Sequence, residues 1–130
     1  EMHRTVALGN GKELTSVGKL SIEEYANMLE ESYAGISLMC SPHPSYPPLE
    51  MSVFDVKTIT NTYANKDLKD FNENIISLDN ISPMNIAKHL VEICKSYQTE
   101  VRHIAANPLY VKNDHVFDFV EDIKKILDEE

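Results

Sequence analysis

Apolar positions fall into two periods along the chain. From Ser21 to Tyr33, the residues Ile22, Tyr25, Ala26, Leu29 and Tyr33 recur at three- and four-residue intervals, one face of an amphipathic helix. Ser21 and Glu24 have the spacing of a capping box, and Leu20 and Tyr25 that of a hydrophobic staple. A second helix is predicted after Ser82, with Pro83 at its first position, Ile81 and Ile86 as a staple, and a stripe of Ile86, Leu90, Ile93, Cys94 and Tyr97. Short apolar or β-branched runs separate the helices. Glu13–Val17, Gly35–Met39, Val56–Thr60 and Ile75–Leu78 read as strands, the second as one buried on both faces. The segment 99–112 reads as a linker with at most one short element. Val116, Phe119, Val120, Ile123 and Ile126 then predict a terminal amphipathic helix, capped by Asn113 or Asp114. The organisation expected is a partial nucleotide-binding domain over 1–98, with the linker and terminal helix over 99–130.

Strands alternating with helices predict an α/β domain with a parallel sheet and right-handed crossovers. In such sheets ligands bind beyond the carboxyl ends of the strands. The stretch after Gly35–Met39 lies there. Pro42, Pro44, Pro47 and Pro48 stiffen it, and a helix can start near Ser45 or Tyr46 because proline is tolerated in a first turn. Leu49, Val53 and Phe54 would then face the core. Glu50 would sit in the first or second turn, close to anything bound at the helix start. Free N–H groups and the helix dipole attract phosphate there, so a carboxylate beside them suits sugar hydroxyls better. Phosphate on amides and ribose on an acid describe a nucleoside diphosphate. A stiff connection with a dipole-favoured glutamate is the alternative on spacing alone.

Composition narrows the partners. The chain has 130 residues, 42% of them hydrophobic, enough for one modest core. Its formal net charge of −9 argues against a general nucleic-acid binder and against docking on anionic lipid through a basic patch. No apolar run approaches membrane-spanning length. Cys40 and Cys94 lack metal-ligand spacing and read as buried cytosolic thiols. No His, Cys and acid cluster has metal spacing either. His89 reads as a partly exposed helix residue, His103 and His115 as isolated, Tyr25 and Tyr33 as core, and Asp128, Glu129 and Glu130 as a solvated tail. The abrupt opening, Glu1-Met2-His3-Arg4, reads as a piece of a longer protein.

The segment VGKLSIEEYANMLEESYAGISLMCSPHPSYPPLEMSVFDVKTITNTYANKDL resembles the C-terminal half of retaining GT-B-fold glycosyltransferases, and more narrowly the bacterial rhamnosyltransferases that extend surface glycans. The similarity runs from about Val6 to Tyr97, and PHPSYPPLEM followed by TNTYANKDL is its most specific part. The resemblance implies a Rossmann-like parallel sheet with flanking helices, the incomplete C-terminal half of a GT-B fold. It implies a nucleoside-diphosphate sugar as donor, such as dTDP-rhamnose, a glycan acceptor, and no cofactor or metal. The family's glutamate-x7-glutamate motif maps its ribose-holding second acid onto Glu50 and its first acid, which contacts the donor sugar, onto Pro42. That departure leaves His43 as the nearest polar group for the sugar. The diphosphate would rest on the Ser45 and Tyr46 amides, since Pro47 and Pro48 have no N–H. Gly18, Lys19 and Leu20 map to the nucleobase loop, where Lys19 either approaches a phosphate or lies in solvent. Asn61, Thr62, Tyr63, Asn65, Lys66 and Asp67 map to the same edge and either touch donor or acceptor or cap loops locally.

In that family the acceptor pocket lies mainly on an N-terminal domain, and a basic pair that neutralises the leaving diphosphate lies early in the C-terminal one. Both fall ahead of this segment. The resemblance therefore implies the donor-binding part of a hexosyl-type transferase that is inactive alone. It further implies a cytoplasmic enzyme, peripheral at the inner membrane face through its full-length form. A non-catalytic α/β interaction module with a degenerate nucleotide site is the competing reading.

Overall fold

A computed structural model describes residues 4–97 and 99. Of the expected linker only Thr99 is described; the terminal helix, His103, His115 and the acidic end lie outside the described residues. Residue 98, at the expected domain boundary, lies outside them too. The chain falls into two compact units, one ending at Ser32 and the other beginning at Tyr33.

The first unit opens with an antiparallel hairpin of β1 (Thr5–Gly9) and β2 (Lys12–Thr15), in register Thr5↔Thr15 and Val6↔Leu14. The predicted strand Glu13–Val17 is thus shifted towards β1 and ends at Thr15. It pairs with a strand the apolar pattern did not reveal, and it does so outside any parallel sheet. The turn explains the pairing. Gly9, Asn10 and Gly11 all have positive φ (85°, 52° and 71°), a backbone that glycine and asparagine tolerate and that reverses the chain in few residues. Helix α1 (Ile22–Glu31) follows. Its capping box forms as the spacing predicts: Glu24 N–H donates to Ser21 Oγ at 3.2 Å and Ser21 N–H to Glu24 Oε2 at 2.8 Å. Leu29 is buried, Tyr25 and Ala26 half-buried, and Ile22 almost fully exposed, so the apolar face is narrower than the periodicity suggests.

The second unit is the parallel sheet. Strands β3 (Ala34–Ser37), β4 (Lys57–Asn61) and β5 (Ile75–Leu78) lie in the order β3-β4-β5. Helix α2 (Tyr46–Val53) joins β3 to β4, and α3 (Pro83–Ser96) follows β5. This is the α/β arrangement, Rossmann-like and partial, that the alternation predicts. Alternation along β5 sorts the core onto two faces. Ile75 clusters with Leu49 of α2 and with Leu68. Leu78 clusters with Ile59 and Ile93 of α3, and Ile76, Ile86, Leu90, Tyr33 and Ala34 pack around them. On β3, Gly35 turns to the α2 face. A Cβ there would stand 2.6 Å from Met51 Sδ, so glycine permits the close approach of helix and strand.

β4 is the central strand, and Thr58, Ile59, Thr60 and Asn61 are all buried. β3, expected to be buried on both faces, is instead an edge strand among the described residues, with Ile36, Leu38 and Met39 exposed. Cys40 and Cys94, expected in the core, are both exposed. Cys94 falls off the α3 stripe because Ile86, Leu90 and Ile93 already fill the width that reaches the sheet. Tyr97 is also exposed, but its ring meets Tyr33 edge-on at 4.8 Å. Tyr33 in turn shares a 2.8 Å hydrogen bond with Ser96.

Candidate functional site

Because the three strands are parallel, everything that follows Ser37, Asn61 and Leu78 gathers at one edge of the sheet. Two helices begin there. The start of α3 is closed in the usual manner. Ser82 has extended backbone, its Oγ accepts from Asn85 N–H at 3.3 Å, and its own N–H donates to Asn80 Oδ1 at 2.9 Å. His89, one turn on, is half-buried with Nδ1 3.0 Å from the Asn85 carbonyl.

The start of α2 is built differently. It begins at Tyr46, as the prolines allow, with Pro47 and Pro48 in the first turn. Its N-cap, Ser45, has φ 69° and ψ 144° and caps nothing with its side chain. Non-glycine residues avoid that conformation, which costs about 1–3 kcal/mol. The loop holds it in place: His43 N–H donates to Ser41 Oγ at 3.2 Å, and Ser45 N–H donates to His43 Nδ1 at 3.0 Å. The second bond fixes Nδ1 as the acceptor and leaves the imidazole proton on Nε2.

This bond removes one of the two amides the sequence offered. Ser45 N–H is engaged, and Pro47 and Pro48 have none, so Tyr46 alone presents a free first-turn N–H among the described residues. Tyr46 is 64% exposed, and its ring meets His43 edge-on at 6.1 Å. Glu50 lies one turn into α2, half-buried, and its carboxylate makes no hydrogen bond or ion pair among the described residues. Leu49 faces the core as predicted, whereas Val53 and Phe54 are only half-buried.

The residues from the end of β4 onward divide into three kinds. Thr62 and Asp67 are tied locally. Thr62 Oγ1 donates to Asp79 Oδ1 at 2.8 Å. Asp67 accepts from Lys69 N–H at 3.1 Å and pairs with Lys69 Nζ at 3.1 Å. The backbone bond first, and then the side-chain one, hold the Asp67 carboxyl below its usual range; the side-chain bond and the charge of Asp67 raise the Lys69 ammonium. Tyr63 and Asn65 are exposed on a tight turn. Asn61 and Lys66 are buried, 3% and 4% exposed, and both bond to Met39. Their burial is not visible in the sequence, where both sit in a polar loop.

Gly18, Lys19 and Leu20 belong to the first unit. Gly18 and Leu20 line an open apolar groove of about 330 Å³ with Val17, Ser21, Ile22, Tyr25 and Met28, while Lys19 is exposed. His43, Ser45, Tyr46 and Glu50 are brought together on one loop and helix start of the second unit. Among the described residues no group of three or more His, Cys, Asp or Glu could hold a metal ion, and no helix is long and apolar enough to cross a membrane.

The family model of the WsaF C-terminal domain matches residues 1–91. No curated protein gives a match. The family match covers the hairpin, both starts at the sheet edge and most of α3. The chain therefore belongs to the family of the WsaF C-terminal domain, a glycosyltransferase-associated domain of the GT-B type.

Proposed function

We propose that this chain is the donor-binding part of a glycosyltransferase that takes a nucleoside-diphosphate sugar. The observation that carries the reading is Glu50. It is a half-buried carboxylate without a partner among the described residues, one turn into a helix that begins at the carboxyl edge of a parallel sheet. Such an acid accepts the two hydroxyls of a ribose. The Tyr46 N–H and the positive end of α2 receive the diphosphate. His43, fixed by Ser45, faces the donor sugar in the position where the family's motif has an acid and this chain has Pro42. A 6-deoxyhexose such as rhamnose, carried on dTDP for surface-glycan synthesis, is the donor we favour. The acceptor and most of the charge that stabilises the departing diphosphate are supplied by another domain. On this reading the chain binds donor but does not transfer it, and works at the cytoplasmic face.

One observation favours a second reading, a non-catalytic module that kept the fold. Only one first-turn amide is free among the described residues, where a diphosphate cradle needs several. An NMR titration with dTDP and UDP separates the two. The donor reading expects the Tyr46 amide and the neighbours of Glu50 to shift in a saturable manner. Unmoved amides throughout α2 would favour the module.

A further inference from the structure

We infer that Asn61 and Lys66 are positioning residues that set the loop 39–45, not groups that touch a ligand. Met39 lies two residues beyond β3, where the chain leaves the sheet for that loop. Its peptide groups are gripped from both sides. Met39 N–H donates to Asn61 Oδ1 at 2.8 Å. Its carbonyl accepts from Asn61 Nδ2 at 3.2 Å and from Lys66 Nζ at 3.1 Å. Asn61 Nδ2 also donates to the Thr62 carbonyl at 2.9 Å, so the amide uses both donors and its acceptor.

The burial and the chemistry agree. At 3% and 4% exposure, neither side chain presents useful area to a ligand. A buried ammonium is costly unless it is compensated, and no carboxylate pairs with Lys66 among the described residues. What it gains is a charge-assisted hydrogen bond to a carbonyl 27 positions away in sequence. A tight turn delivers it there. Tyr63 and Lys66 exchange backbone hydrogen bonds at 2.8 and 3.1 Å, and the turn holds Ala64 at φ 51°, a left-handed conformation that alanine resists.

From Met39 the restraint runs onward. Two residues later Ser41 accepts from His43, and His43 accepts from Ser45, the strained N-cap before the free Tyr46 amide. The central strand thus holds the first residue of a loop whose last residue sets the start of α2. That this serves donor binding rests on the function proposed above; the restraint itself does not.

Amide hydrogen exchange on the full chain tests it without any nucleotide. Lys66→Met keeps the side chain's length and removes its donors, whereas Lys66→Arg keeps donors. The His43 and Ser45 amides are expected to exchange about tenfold faster in Lys66→Met, the loss of one hydrogen bond's restraint, and to return towards wild type in Lys66→Arg. Core amides such as Ile76 are expected to hold. Asn61→Ala provides a second variant with the same expected pattern. Unchanged exchange at His43 and Ser45, or equal acceleration through the whole sheet, overturns the inference. A dTDP titration keeps the two readings apart. If wild type binds and Lys66→Met binds equally, the positioning role fails. If wild type itself does not bind, the donor reading fails and the exchange result stands by itself.

Discussion

Two helices start at the same edge of one sheet, each with a serine at the N-cap, and they are made in opposite ways. At α3 the serine caps with its side chain, its backbone is relaxed, and a neighbouring asparagine completes the turn. At α2 the serine caps nothing, its backbone is strained, and a histidine ties up its amide. The first arrangement is what stability alone selects. The second stores strain next to a carboxylate with no partner among the described residues, and strained backbone held by its surroundings is characteristic of functional sites. The sheet that carries both is the same, so the difference lies in the two loops and not in the fold.

Paired substitutions break this comparison most directly, because the signs are opposite. Ser45→Gly removes the strain and is expected to stabilise the chain by about 1–2 kcal/mol, after the added entropy of the unfolded chain is set against it. Ser82→Ala removes a cap and is expected to destabilise by about 1 kcal/mol. Urea unfolding measures both. Equal signs would show that the two starts do not differ as described.

A smaller effect is expected at the turn that presents Lys66. Ala64→Gly relieves a left-handed alanine and should stabilise by about 0.5 kcal/mol, measured in the same urea series. A loss of stability there would mean the turn is not strained.

How much of this was readable varies with how local the cause is. The α3 start was legible because Ser82, Pro83 and Asn85 act within four residues. β4 and β5 were legible from runs of β-branched and apolar residues, and α2 from the prolines that permit a start at Tyr46. The hairpin was also locally signalled. Gly9-Asn10-Gly11 between Leu8 and Lys12 is strong turn chemistry, and weighing helix and strand periods alone passes over it. The core status of Cys94 and Ile22 could not be read, since i, i+3 and i+4 spacing gives a direction but not the width of the covering surface. At the candidate site, Glu50 and the loss of amides at Pro47 and Pro48 followed from residue types. The engagement of Ser45 N–H by His43, and the burial of Asn61 and Lys66 against Met39, did not. Those depend on contacts that only the folded sheet edge creates, two of them 22 and 27 positions apart.

The smallest expected effect lies at the third helix start. The Ser21 N–H and then the Ser21 hydroxyl hold the Glu24 carboxyl below its ordinary value. A folded value below the unfolded one means the stabilisation is present above the ordinary carboxylate range and is lost as the pH falls through the folded value. Glu24→Gln should therefore differ slightly from wild type at neutral pH and converge with it in acid. A difference that persists unchanged into acid would contradict the capping role of the charge.

Calorimetric titration of dTDP into the wild-type chain and into Glu50→Ala bears most directly on the central claim, that the strained start of α2 and Glu50 hold a nucleoside diphosphate. Weak saturable binding to wild type is expected, with affinity at least about tenfold lower in Glu50→Ala, the loss of hydrogen bonds to a charged acceptor. Binding that is the same in both proteins, or no heat with either dTDP or UDP, would contradict it.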